Sequence, residues 1–278
     1  MSARSDPGAS KTYLSRLSAV TLASMTQLVR SPSEARRSEA MRRLAYQSLL
    51  TAILGSICVL TLMIWLDAWE IAQMPPRRAP SLWPVRILTE FGKDTYVLLL
   101  VAIILFALVM VAAAAREPLR GRLLEFVVRL QFLFFAVAVP LAVGELAKWV
   151  AGRGRPFVGG EANPFNFAPF AGTEAHASFP SAHSVTAFAL AFAIAAVWPR
   201  ARGIMIAYAL VIAVTRLVLL AHHPSDVVAG ATIGIIGAMG VRYWFAARGL
   251  GFVIAGGGRI APVAFRPLKG VAPEASAT

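Results

Sequence analysis

Residues Thr215 to Asp226 read TRLVLLAHHPSD, an apolar run framed by groups that can move protons or hold anions. Titratable side chains are costly at membrane depth, so their presence calls for a task. A histidine can attack a reacting centre or carry a proton, and a carboxylate three or four residues on can orient it. On a regular helix both His222 and His223 stand within reach of Asp226. Pro224 pushes His223 to an extended backbone and turns it elsewhere, which leans the choice toward His222.

Two more clusters hold chemistry of the same kind. In KWVAGRGRP, Lys148 stands seven residues before Arg155, and both are donors to an anion. In SFPSAHS, Pro180 suits the first turn of a helix, so Ser181, Ala182 and His183 are expected to offer free backbone N–H groups. A helix N-terminus carrying a serine hydroxyl is a phosphate site. Arg216 supplies a third cation. Three cations, a helix end, two histidines and an aspartate suit phosphoryl transfer better than acyl transfer: they clamp the equatorial oxygens and supply a nucleophile and an acid. The acids on this face, Glu145, Glu161, Glu174 and Asp226, are scattered, whereas phosphate-bound metals want clustered carboxylates. The expectation is an activity with no metal and no cofactor.

The elements that must position these groups follow from composition. Of 278 residues, 58% are hydrophobic and 15% charged, and the mean hydropathy is +0.66, which points to an integral membrane protein. A net charge of +13 would suggest nucleic acid in a soluble chain. Here the basic residues fall where membrane topology puts them, so no nucleic-acid partner is expected. Cys58 is the single cysteine, which excludes an intrachain disulfide. Apolar runs at 46–66, 96–115, 130–144, 184–198, 203–221 and 227–241 predict an all-α polytopic fold of six transmembrane helices. Arginines crowd the segments before the first run, after the second and fourth, and after the last. Both termini are therefore expected on the cytoplasmic side, with all four histidines at the external ends of helices three to six or in an external loop. The loop 67–94 balances basic against acidic residues. Residues 1–45 read as a basic cytoplasmic tail with a weakly amphipathic surface helix (Leu14, Leu17, Val20), although a transit peptide has similar composition. Residues 46–247 form the membrane domain, and 248–278, rich in Gly, Pro and Ala, read as a disordered cytoplasmic tail.

K-x6-RP at Lys148–Pro156, PSAH at Pro180–His183 and TR-x5-H-x3-D at Thr215–Asp226 together resemble the three signatures of the type 2 phosphatidic acid phosphatase superfamily. Its members are mainly membrane lipid phosphatases, with vanadium-dependent haloperoxidases as soluble relatives. The resemblance spans roughly 126–241. It implies that His222 is the nucleophile, Asp226 orients it, and His183 protonates the leaving group. It further implies that Lys148, Arg155, Ser181 and Arg216 hold the phosphate. This chain departs from the family pattern at Ala182, where glycine is usual, and at Thr215, where serine is usual. Alanine keeps the N–H and threonine keeps the hydroxyl.

Other polar residues carry plainer readings. Arg129 is an interfacial snorkeller, Glu145 is the ion-pair partner of Lys148, and His176 is a solvated loop residue. Arg153 falls between the two cations the motif names and is weighed as an accessory phosphate contact. The phenylalanine-bearing loop 157–179 could serve as a lid or lipid-contacting flap, and Trp69 and Trp83 read as interfacial belt residues. The expected activity is hydrolysis of a lipid phosphomonoester or diphosphate at the outer face through a phosphohistidine. Undecaprenyl diphosphate, phosphatidylglycerophosphate, phosphatidic acid and lipid A are the candidate substrates. The compact form favours a bacterial inner membrane with a periplasmic site. Alternatives are a lipid phosphotransferase using the same residues, or a non-catalytic lipid-phosphate carrier, which would not need both histidines and the aspartate. The six spans set the haloperoxidase aside.

Overall fold

A computed structural model describes residues 13–32, 37–76 and 79–263. The expectations for the outermost parts of both tails, 1–12 and 264–278, and for Arg36, Arg77 and Arg78 lie outside the described residues. The chain runs α1 (Tyr13–Val29), α2 (Arg37–Trp65), α3 (Asp67–Gln73), α4 (Trp83–Glu90), α5 (Asp94–Ala114), α6 (Leu119–Ala151), α7 (Ala182–Val197), α8 (Arg202–Val218) and α9 (Pro224–Ala247). A small antiparallel hairpin of β1 (Phe252–Ile254) and β2 (Ile260–Pro262) follows.

Each expected apolar run is a helix. Among the described residues, five stretches are long and apolar enough to cross a membrane: Arg37–Trp65, Pro80–Ala114, Leu119–Ala151, Pro199–Val218 and Pro224–Ala247. The sixth, α7, has 16 residues, or about 24 Å of helix against a hydrocarbon core of ~30 Å. It lies in the middle of the bundle, between α6, α8 and α9, where protein rather than lipid surrounds it.

Burial divides the helices by role. The main core joins α6, α7 and α9 through Phe132, Val137, Ala189, Ala193 and Phe245. Phe132 meets Phe245 and Phe252 edge to face, with ring centroids 5.5 and 4.7 Å apart. In contrast α2 buries Ala40 and turns Leu49, Leu54, Ile57, Leu60 and Ile64 outward. That is the pattern of a helix whose solvent is lipid, where apolar side chains gain nothing by hiding. Small residues let α9 approach α7 closely: a Cβ on Gly234 would stand 2.5 Å from the Val185 carbonyl oxygen.

Two expectations change. The tail read as disordered from Arg248 is ordered to Val263, because Phe252 inserts beside Phe132 and the Gly256–Gly258 turn closes the hairpin against α2. Composition averaged over the tail hid one aromatic anchor and the β-branched Val253, Ile254 and Ile260 of the two strands. The loop 67–94 also carries structure, in α3 and α4.

Candidate active site

α6 ends, α7 begins, α8 ends and α9 begins at one end of the bundle, and the three motifs meet there. α6 stops at Gly152, whose φ of 56° is left-handed and whose N–H donates to Lys148 O at 2.9 Å. A Cβ there would lie 1.9 Å from Ala168 O, so glycine alone permits the turn. The turn sends the next residue, Arg153, inward to complete burial. Its Nη1 donates to Asp226 Oδ1 at 2.5 Å and to Ser225 Oγ at 2.6 Å. Nη2 donates to Asp67 Oδ2 at 2.8 Å, and both Nη2 and Nε reach Pro164 O. Asp67 also accepts the Ser225 N–H at 3.0 Å and bonds the Ser225 hydroxyl. Arg153 is thus enclosed by acceptors of its own chain. This corrects the expectation of an accessory phosphate contact: its donors fill a fork of acceptors from Asp67, Pro164, Ser225 and Asp226.

His222 and His223 divide their duties differently from expectation. His223 caps α9 with Pro224 at the first helical position, and its N–H donates to Asp226 Oδ2 at 2.8 Å. Its Nδ1 lies 3.2 Å from the same oxygen. Proline does hold His223 extended, yet extension is what a helix cap needs, so the ring stays beside Asp226. His222 Nδ1 lies 2.7 Å from Ser178 O and 3.8 Å from Asp226 Oδ2. A carbonyl oxygen can only accept, so Nδ1 carries the proton and Nε2 keeps a free lone pair. Direct orientation of His222 therefore comes from the Ser178 carbonyl, with the Asp226 charge one step removed. The Ser178 hydroxyl ties the two together by donating to Asp226 Oδ2 at 2.6 Å. Burial holds the His222 pKa well below the usual imidazole value, with the Asp226 charge opposing and Arg216 and Arg155 reinforcing. The ring is therefore neutral at neutral pH.

The cations stand around these rings. Arg216, Lys148, Lys93 and Arg155 all impose positive potential on His183, in the first turn of α7. Arg216 Nη1 donates to Thr89 Oγ1 at 2.8 Å, and the Thr215 hydroxyl lies 3.0 Å from the same oxygen. Lys148 pairs with Glu145 at 2.5 Å, and Arg155 with the exposed Glu174 at 3.0 Å. Such solvent-facing pairs are worth ~0–1 kcal/mol, so a phosphate can displace them. Ser181 caps α7, its Oγ 3.5 Å from Ser184 N. Its own N–H donates to Asp226 O at 3.0 Å, joining the starts of α7 and α9. The helix starts at Ala182, so Pro180 precedes the cap rather than filling the first turn, and the open N–H groups are those of Ala182 and His183.

Sequence reasoning missed Asp67, Thr89, Ser178 and Ser225. Asp67 had one visible signal, a lone acid immediately after the first apolar run; its partner is 86 residues away. One helical turn on, Glu70 is buried beside it with both carboxyl oxygens unpartnered among the described residues. Burial and the Asp67 charge push Glu70 up to about 7. No group of three metal-ligating side chains occurs among the described residues.

Residues 129–250 match the PAP2 superfamily. A lipid A 1-phosphatase of Rhizobium johnstonii is 34% identical over 224 residues, which cover 79% of this chain and 89% of that protein. A lipid A 1-phosphatase of Rhizobium etli is 41% identical over 103 residues, 37% of this chain and 44% of its own length. No solved structure matches significantly.

Proposed function

The chain belongs to the PAP2 superfamily and is a lipid phosphatase of the membrane, and on that premise we propose that it removes a phosphate from a lipid A-type head group at the periplasmic face of a bacterial inner membrane. The observation that carries this reading is His222: buried, neutral, and held through Nδ1 by Ser178 O so that Nε2 keeps its lone pair, with the positive potential of Arg216 and Arg155 acting on the ring. The lipid A assignment rests on the relative that aligns over most of both chains.

Nε2 of His222 attacks the phosphorus in line while Lys148, Arg155, Arg216, the Ser181 hydroxyl and the open N–H groups at the start of α7 balance charge on the equatorial oxygens. His183 gives its proton to the departing oxygen, and the phosphohistidine forms. The imidazole then carries positive charge, which Ser178 O and the Asp226 carboxylate stabilise. Water, deprotonated by His183, attacks the phosphorus and returns His222 to its neutral form. In this reading α7 is a sixth, short central span, supported by its apolar sequence and its place between α6, α8 and α9, and this end of the bundle lies at the lipid head groups. No step calls for a metal.

The test is phosphate release by purified protein in detergent and chelator, on lipid A, undecaprenyl diphosphate, phosphatidylglycerophosphate and phosphatidic acid. Lipid A should turn over fastest, His183→Ala should lose about 10²–10⁴-fold, and His222→Ala should fall to background. Near wild-type turnover by His222→Ala on every active lipid would overturn the mechanism. Loss of turnover in chelator, restored by magnesium, would overturn metal independence.

A further inference from the structure

A second basic site lies at the opposite end of the bundle. Arg242 follows Asp226 by four and a half turns of α9, about 24 Å along the axis. There α2, α9 and the turn of the C-terminal hairpin enclose a cavity of about 230 Å³, lined by Arg43, Gln47, Arg242 and Arg259 among others. That is room for a phosphate-sized group with its waters, one water taking ~30 Å³ in the liquid.

Three guanidiniums converge on this space and no carboxylate lines it. Among the described residues none of the three forms an ion pair. Arg43 Nη1 donates to Gly257 O at 3.2 Å. Arg242 stacks over Phe192 at 4.9 Å, and its Nε is buried without a hydrogen-bond partner among the described residues. Glu39, one turn before Arg43 on α2, is exposed and pairs with neither Arg43 nor Arg259. Its backbone instead packs against Gly258, which brings the hairpin turn, and Arg259 with it, up to α2. Like charges gathered around a cavity repel unless an anion joins them. Guanidiniums match the oxygens of a phosphate in fixed fork geometry.

We propose that this cavity binds a phosphate group, presented by an acidic phospholipid of the leaflet opposite the catalytic end. The position at the helix ends sets the cavity at head-group level, and the lipid-facing surface of α2 beside it gives the acyl chains a wall. The bound head group links α2, α9 and the hairpin through one anion.

Thermal denaturation of the purified protein in neutral detergent micelles tests this, with phosphatidylglycerol, phosphatidylcholine or inorganic phosphate added in separate arms. Phosphatidylglycerol should raise the wild-type Tm by roughly 5 °C over phosphatidylcholine. The triple variant R43Q/R242Q/R259Q should lose that increment while keeping phosphatase turnover on detergent-dispersed substrate. Should the triple variant not fold, the single R259Q, on the exposed turn, should lose part of the increment. Equal effects of the two lipids on wild type, or an increment undiminished in the variants, would overturn the site. An equal increment from inorganic phosphate would overturn the lipid as its source.

Discussion

Arg153 holds two buried carboxylates apart with one positive charge, and all three groups are out of water. Deleting the guanidinium leaves Asp67 and Asp226 unpaired and mutually repelling. Arg153→Met should cost about 3–5 kcal/mol of stability, read as a lowered Tm in detergent. Arg153→Lys retains the charge but offers one compact donor in place of a fork, so it should melt nearer wild type and still lose phosphate release tenfold or more. A wild-type Tm and turnover for Arg153→Met would remove the residue from the site's framework. The sequence separated the motif residues from this framework for a physical reason. Phosphate ligands must sit at fixed spacings on a few helix ends, and spacing is visible in a chain. A buried fork needs only acceptors that tertiary packing supplies, and Asp67, Pro164 and Ser225 share no local pattern with Arg153. The His223 ring is a similar case, since the local rule about proline was right for the backbone and said nothing about the capping carboxylate.

At the scale of elements, α9 carries the site because it packs against α7 almost backbone to backbone. A Cβ at Gly230 would stand 2.5 Å from Ser181 O and 2.9 Å from Ser184 Cβ. Gly230→Ala should therefore push the start of α7, with Ser181 and His183, away from Asp226. Turnover should fall about tenfold or more, as a sub-ångström misplacement at a reacting centre allows. Gly240→Ala, where nothing lies within 4 Å, should leave activity unchanged or raise stability slightly. Equal activity in the two variants would show that the α7–α9 contact can give. The existence of these helices was legible, since runs of apolar residues near bilayer length have few other fates. The hairpin was not, because a single Phe252 anchored on Phe132 decides it and tail composition averages that signal away.

For the whole molecule, the proposed topology puts the loop between α6 and α7 outside and the connection after α1 inside. With Cys58 replaced by serine, a membrane-impermeant maleimide should label Thr173→Cys on intact spheroplasts and Ser31→Cys only after permeabilisation. The reverse pattern would invert the assigned orientation. The family match begins at 129, yet the carboxylate that steadies Arg153 comes from α3, at the end of the first membrane helix. The two halves of the chain are therefore joined at the site by a buried ion pair. A chimera joining the front of one relative to the back of another would keep every motif residue, and would still have to carry the acid and its arginine together.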